Sequence, residues 1–417
     1  MGMVAVKAER TEASRSIASG LSVVGGPVQT AESALSVRIH NLDEISRAYG
    51  LGAAFAASDH VRDFLKYRLR GRESLGSAEY VLRQLSEYPV TYDGQRFHLF
   101  VSLAPTGDTG NCANKVMPTV HGNPAFPDDA WCRHYRADMA LAVNLFDAMR
   151  DGRLMFAWQA IRSAEDQDDV LYHECLLRML TPEGEIESVG DAIEAIERLG
   201  LIRALDRFVA EEATRELRVD RTRRIGVNMS AQSLARDHWW APLTAELGAH
   251  PQLAARLYVE ITETAQASSI SDALEFVAVL RQLGCHIVID DFGAGHASIR
   301  QLLAFKPEVA KIDRFFVHYA KTSAQGFAAL GHLIGLAESL GALAVVEGIE
   351  TDAESEMALG AGCVWQQGYH HGRPSIVRPW GFAGAAERCG AGSGLVGADM
   401  QWAAVGRSKM PTPIVMA

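Results

Sequence analysis

Glu174, Asn228, Glu260, Asp290, Asp291, Lys311, Glu347 and Gln367 each end or directly follow a short apolar run. One acid in such a place is ordinarily a loop cap or a solvated turn. Recurrence along the chain, from position 174 to position 367, is a different pattern and points to a shared site. Asp290 and Asp291 sharpen it. Successive strand residues point to opposite faces, so both acids can aim one way only if the strand ends and the backbone turns there. Two anions so close repel unless a cation or a shared proton relieves them. Oxygen donors without histidine or cysteine favour Mg²⁺ or Mn²⁺ over zinc or copper. The carboxylates of Glu174, Glu260, Asp290, Asp291 and Glu347 exceed what one such ion requires, which points to two.

The elements that would present these groups alternate regularly. Strand-like runs fall at 154–161, 170–178, 225–229, 257–262, 285–290, 309–312, 343–347 and 364–369, with helical stretches between them. Ser271 is placed to cap a helix stopping at Gly284, a second helix runs from Gln325 to Leu340, and Thr351-x-x-Glu354 reads as a capping box. This rhythm is that of a (β/α)8, TIM-like barrel, whose sites lie at the carboxyl ends of the strands. A doubly wound open sheet has the same rhythm, because periodicity does not show closure.

Upstream, residues 1–34 read as a flexible leader and 35–127 as a smaller α/β domain whose Asp93-Gly94 pair is a hairpin signal. Residues 128–136 read as a linker into a helix from about Ala137 to Asp151 that opens the second domain, 137–385. A flexible tail, 386–417, follows. Net charge of −11 over 417 residues disfavours a broad nucleic-acid-binding face. No apolar run reaches the roughly 18 to 20 residues a membrane span needs, and the N-terminus lacks a signal-peptide segment, so a cytoplasmic protein is expected. The six cysteines form no CxxC pair. Trp239-Trp240 reads as helix packing rather than a base-stacking platform, and His286, His296, His370 and His371 lack ligand spacing.

Glu174-Cys175-Leu176-Leu177-Arg178, Asn228-Met229-Ser230-Ala231, Glu260-Ile261-Thr262-Glu263, Asp290-Asp291-Phe292-Gly293-Ala294-Gly295, Lys311-Ile312-Asp313-Arg314, Glu347-Gly348-Ile349-Glu350 and Gln367-Gly368-Tyr369 stand in an order and spacing that resemble the EAL domain, the phosphodiesterase of cyclic di-GMP. The resemblance implies hydrolysis to linear pGpG. Glu174, Asn228, Glu260 and Asp290 would hold one ion, while Asp290, Asp291 and Glu347 would help hold a second. Lys311 would orient the attacking water and Gln367 would hydrogen-bond near it. Glu263 would brace the loop after Asp291, and Gln159, Leu176 and Arg178 would contact substrate. It also implies an irregular antiparallel first strand and a homodimer.

The sequence departs from the family at Cys175 (for Ala), Ala160 (for Pro), and Ala294, His296 and Ala297 (for Thr, Tyr and Ser). The last three remove hydroxyls from the loop that would couple Glu263, the ions and the dimer contact, so activity is expected to be low or conditional. Residues 41–50 and the later hairpin resemble, in part, a degenerate GGDEF domain. Arg38 stands where a metal-binding acid would fall, Ser46-Arg47 replace an Asn-Asp step, and the signature hairpin is missing. A catalytically dead regulatory module is expected. The competing reading is a receptor that binds cyclic di-GMP without cleaving it and acts through protein contacts; a barrel enzyme for another phosphate ester stands further off.

Overall fold

The computed structural model describes residues 35–68, 76–105, 128–235, 239–262, 269–293 and 299–379. The leader and the tail expected from the sequence lie outside these, as do Glu263, His296, Ala294 and Ala297. In the N-terminal part, β1 (Leu35–Ile39) leads into α1 (Leu42–Tyr49), α2 (Leu51–Arg68) and α3 (Gly76–Glu87). Then follow β2 (Val90–Tyr92), β3 (Gln95–Phe97) and β4 (Val101–Pro105). Asp93 and Gly94 both take positive φ, 47° and 70°, as a two-residue hairpin between β2 and β3 requires. β4 returns antiparallel to β1. Buried Asn41 fastens that return: its Nδ2 donates to the His98 carbonyl at 3.0 Å and its Oδ1 accepts from the Phe100 amide at 2.9 Å.

The next helix, α4 (Asp129–Asp151), begins earlier than the sequence suggested. Asp128 caps it, accepting from the Trp131 amide at 2.8 Å, so the expected linker is instead the first two turns of the helix. Its aromatics, read as linker residues, form a packing face: Trp131 stacks on Tyr135, and Tyr135 meets Tyr49 edge-on.

Beyond it run β5 (Leu154–Ser163), β6 (Val170–Leu180), β7 (Ile186–Ser188), α5 (Gly190–Arg198), α6 (Ile202–Val219) and β8 (Ile225–Ser230). Gly200, at φ 72°, separates α5 from α6. α7 (Ala241–Ala249), α8 (Pro251–Ala254), β9 (Leu257–Thr262), α9 (Ile270–Leu283) and β10 (His286–Phe292) continue the alternation. It ends with α10 (Ile299–Phe305), β11 (Val309–Ile312), α11 (Arg314–Thr322), α12 (Ala324–Ser339), β12 (Leu343–Val346), α13 (Asp352–Gly360) and β13 (Trp365–Gln366). Ser269, not Ser271, caps α9, while the Thr351–Glu354 capping box forms as expected.

The strands run in the order β5-β13-β12-β11-β10-β9-β8-β6, and β5 also pairs with β6. That last pairing closes the barrel and excludes the open sheet. β5 is antiparallel to both neighbours, while β6, β8, β9, β10, β11, β12 and β13 are parallel. Among the residues filling the interior are Ile161, Tyr172, Tyr258, Val288, Val309 and Val345, with Tyr172 stacked on Tyr258 at 4.3 Å. No helix among the described residues is long and apolar enough to cross a membrane.

Candidate active site

β6 carries Glu174, β8 Asn228, β9 Glu260, β10 Asp290 and Asp291, and β11 Lys311; Glu347 and Gln367 follow β12 and β13 directly. Parallel strands place these positions at one end of the barrel, and the register puts Asn228 opposite Glu260. Asp291 resolves the geometric question the paired acids pose. It adopts φ 52°, and the pairing of β10 with β11 slips between Ile289 and Phe292. The turned backbone brings carboxylate oxygens of Asp290, Asp291 and Glu347 within 4.8 Å of one another. A non-glycine residue at positive φ is a strained choice, tolerated where the surroundings demand it.

Lys311 stands at the centre with a side chain only 1% exposed. Its Nζ lies 2.7 Å from Glu260 Oε2, 2.7 Å from Glu347 Oε1, 2.9 Å from Asp290 Oδ1 and 3.3 Å from Glu174 Oε2. An ammonium has three protons, so it cannot satisfy four carboxylates at once. Asp290 Oδ1 is close enough for an ion pair but has no aligned hydrogen bond. Glu174 is held on its other sides by Gln367 Nε2 at 2.6 Å and Asn228 Nδ2 at 2.7 Å. Gln367 also reaches Gln159 Oε1 at 3.2 Å, and Gln159 donates to the Gly372 carbonyl at 3.1 Å.

The charge balance follows from this crowding. Burial pushes Glu260 well above the carboxylate range, reinforced by Glu174 and Asp290 and only partly opposed by Lys311. Burial likewise raises Glu347 to about 8 against the pull of Lys311, and Asp291 to about 6 with help from Asp290 and Asp313. Burial would raise Glu174 too, but Lys311 and the amides of Gln367 and Asn228 outweigh it and hold it low. For Lys311, burial favours the neutral amine, yet the surrounding carboxylates drive its pKa well upward. Among the described residues, Asn228 Oδ1, Glu260 Oε1, Asp290 Oδ1 and Gln367 Oε1 are buried acceptors without a hydrogen-bond partner, and the Tyr172 hydroxyl is the one buried donor near them in the same state. One ammonium faces more carboxylates than it can satisfy, and hard cations would supply the missing positive charge to these oxygens.

This imbalance predicts how added metal changes stability. Asp291 and Glu347, whose folded pKa values are raised, contribute stability below their unfolded values that is lost as pH rises through about 6 and about 8. A bound cation requires their ionised forms. The rise in melting temperature produced by Mg²⁺ is therefore expected to grow between pH 5 and pH 8, as scanning calorimetry with and without chelator would show. A rise independent of pH would contradict the assignment of these carboxylates as ligands.

Two expected substrate residues lie further along β6. Leu176 and Arg178 continue the Glu174 face of β6, opposite Ala157 and Met155, and Arg178 Nη1 donates to the Leu177 carbonyl at 2.8 Å. Trp239 and Trp240 are buried, and Trp240 Nε1 donates to the Ser233 carbonyl at 2.8 Å. His371 bonds Gln366 and Gln167, and His286 stacks on Tyr258.

Gly226 was missed by the sequence reading. It lies opposite Glu174 in the register, and a Cβ there would sit 2.2 Å from Glu260 Oε1 and 2.5 Å from the Tyr172 ring. A glycine inside a strand, two residues before Asn228, is the signal of such a close approach. Gly226→Ala is expected to displace Glu260 and to destabilise the fold by about 1–3 kcal/mol. Urea unfolding checks the second effect and Mn²⁺ titration the first; unchanged values in both would refute it.

A closed eight-stranded α/β barrel with a buried oxygen-donor cluster at its strand ends defines the class. The family model of the EAL domain matches residues 142–374, more than half of the chain, and the chain belongs to that family. Cyclic di-GMP phosphodiesterase RocR of Pseudomonas aeruginosa is 40% identical over 115 residues, 28% of this chain and 29% of that protein. The structure of PaMucR phosphodiesterase in complex with c-di-GMP superposes with a TM-score of 0.51 at 28% identity, covering 57% of this chain and 97% of that one. Vibrio cholerae LapD, as S helix-GGDEF-EAL, shares the fold over 80% of this chain and 87% of that one, with a TM-score of 0.52 at 16% identity. Matched stretches make up 29%, 42% and 29% of three curated relatives, so this chain spans less than half of their length.

Proposed function

We propose that this chain hydrolyses cyclic di-GMP to linear pGpG, using two divalent cations, Mg²⁺ or Mn²⁺. The observation that carries the proposal is the convergence of Glu174, Asn228, Glu260, Asp290, Asp291 and Glu347 around Lys311 in a buried, donor-poor site. Glu174, Asn228, Glu260 and Asp290 would hold one ion, and Asp290, Asp291 and Glu347 the other. Cations bound there would neutralise the phosphodiester oxygens and lower the pKa of water to a useful range. Lys311, already surrounded by anions, holds the negative charge of the attacking oxygen in place. Gln367 fixes Glu174 and offers its unpartnered Oε1 to a water proton. Water's oxygen forms the new P–O bond as the bond to the 3′ oxygen breaks, and that oxygen leaves as a hydroxyl. Arg178 supplies a guanidinium fork for phosphate, Leu176 an apolar contact, and Gln159 an amide beside Gln367.

The N-terminal elements, in this reading, are a GGDEF-like domain without cyclase activity that regulates the barrel. The protein works in the cytoplasm as a homodimer. Incubating purified chain with cyclic di-GMP and Mn²⁺ and separating products by chromatography is expected to show pGpG, and EDTA is expected to abolish it. Intact nucleotide that still binds the protein would replace hydrolysis with a receptor role.

A further inference from the structure

The N-terminal elements meet the barrel on α6, where two consecutive charged residues are buried: Asp206 is 6% and Arg207 1% exposed. They face different partners. Arg207 Nη2 donates to Glu87 Oε1, at the end of α3, at 2.6 Å, and its guanidinium lies 5.2 Å over the Trp239 ring. Glu87 also pairs with Arg83 at 3.3 Å, and its carbonyl accepts from Arg150 on α4. Leu99 and Phe100 from the N-terminal side and Leu201, Ala204 and Trp239 from the barrel side line one small pocket where the two parts meet.

Asp206, one position earlier, turns to the end of β8. Its Oδ2 accepts from the Ser230 amide at 3.0 Å and the Ser233 hydroxyl at 2.5 Å. Ser230 closes the strand two residues after Asn228, whose amide holds Glu174 at 2.7 Å. The turn is held at its far side as well, since Trp240 donates to the Ser233 carbonyl beside the Trp239 that Arg207 covers.

We propose that Asp206 and Arg207 are positioning residues that couple the N-terminal elements to the site: the grip of Glu87 on Arg207 sets the rotation of α6, and Asp206 transmits it to Asn228. A rigid helix turned about its axis moves both side chains together, and packed interfaces switch between discrete arrangements rather than deforming smoothly. Arg207 Nε also lies 3.8 Å from Glu211 Oε1 on α6 itself, so Glu87 is the carboxylate that ties this guanidinium to the N-terminal elements, and weakening that pair loosens α6 from α3. The proposal rests on the reading of Asn228 as a metal ligand.

The test uses full-length protein and Mn²⁺ itself, with free ion followed by electron paramagnetic resonance and kcat and KM for cyclic di-GMP measured alongside. Glu87→Gln and Asp206→Asn are each expected to weaken Mn²⁺ binding about five- to tenfold. The double variant is expected to be no weaker than the worse single one, because both act on one linkage. If Asp206→Asn fails to fold, Ser233→Ala removes one of the two hydrogen bonds instead. Mn²⁺ affinity within about twofold of wild type for Glu87→Gln, or losses that multiply in the double variant, would overturn the coupling. Wild-type protein that binds Mn²⁺ but leaves cyclic di-GMP intact defeats the hydrolase reading alone, while a chain that binds no Mn²⁺ overturns both.

Discussion

Lys311→Met is expected to lower turnover of cyclic di-GMP by about 10²- to 10⁴-fold, the range over which a positioned proton-bearing side chain acts. Methionine approximates the length of lysine and fills its buried space, so the change isolates charge. What is lost is the cation within 3.3 Å of Glu174, Glu260, Asp290 and Glu347. Without metal, those carboxylates would face one another alone, and the variant is expected to lose about 3–5 kcal/mol of stability. Added Mg²⁺ should recover part of it by supplying the missing charge. Urea unfolding in chelator and in Mg²⁺ reads both effects. The loss should grow with pH, because low pH protonates the raised carboxylates and removes the repulsion. Equal stability with and without Mg²⁺ would mean that Lys311 does not share its partners with an ion.

Glu174→Gln is expected to lower kcat by about 10³-fold, the equivalent of about 4 kcal/mol of lost transition-state stabilisation, while leaving the fold intact. The reason lies in hydrogen-bond polarity. Both Glu174 oxygens accept, Oε1 from Asn228 and Oε2 from Gln367 and Lys311. A glutamine must turn its amide protons toward one of those donors, so it cannot reproduce the network, and it brings no charge to a cation. Arg178 and Gln159 are untouched, so cyclic di-GMP binding measured by calorimetry should persist as turnover disappears. A variant that keeps wild-type kcat would remove Glu174 from the mechanism.

The sequence shows the polar residues of the site more readily than the architecture holding them. Each polar residue is visible because it interrupts or ends a short apolar run, and Glu260, Lys311 and Asp290 are found at the strand ends where that pattern puts them. Closure is invisible in one dimension, because the β5–β6 pairing that completes the barrel leaves no trace in periodicity. The left-handed turn at Asp291 was foreshadowed only as a demand: two adjacent acids cannot share a side on a regular strand.

Misreadings have local causes. Trp131 and Tyr135 read as linker residues because Tyr49, against which Tyr135 packs, lies far away in sequence. Nothing in the sequence marks Asp206 and Arg207 as buried; the N-terminal elements and the end of β8 cover them. Gly226 carries no side chain to notice; its role is to leave room for Glu260.

If these oxygen donors form a metal centre, Mn²⁺ will occupy it. The most direct test is anomalous scattering from crystals of the protein grown with Mn²⁺. Density is expected among Asp290, Asp291 and Glu347, and beside Glu174, Asn228 and Glu260, at about 2.1–2.3 Å from their oxygens. Crystals in saturating Mn²⁺ with no anomalous density there, and Lys311 still bridging the carboxylates, would contradict it.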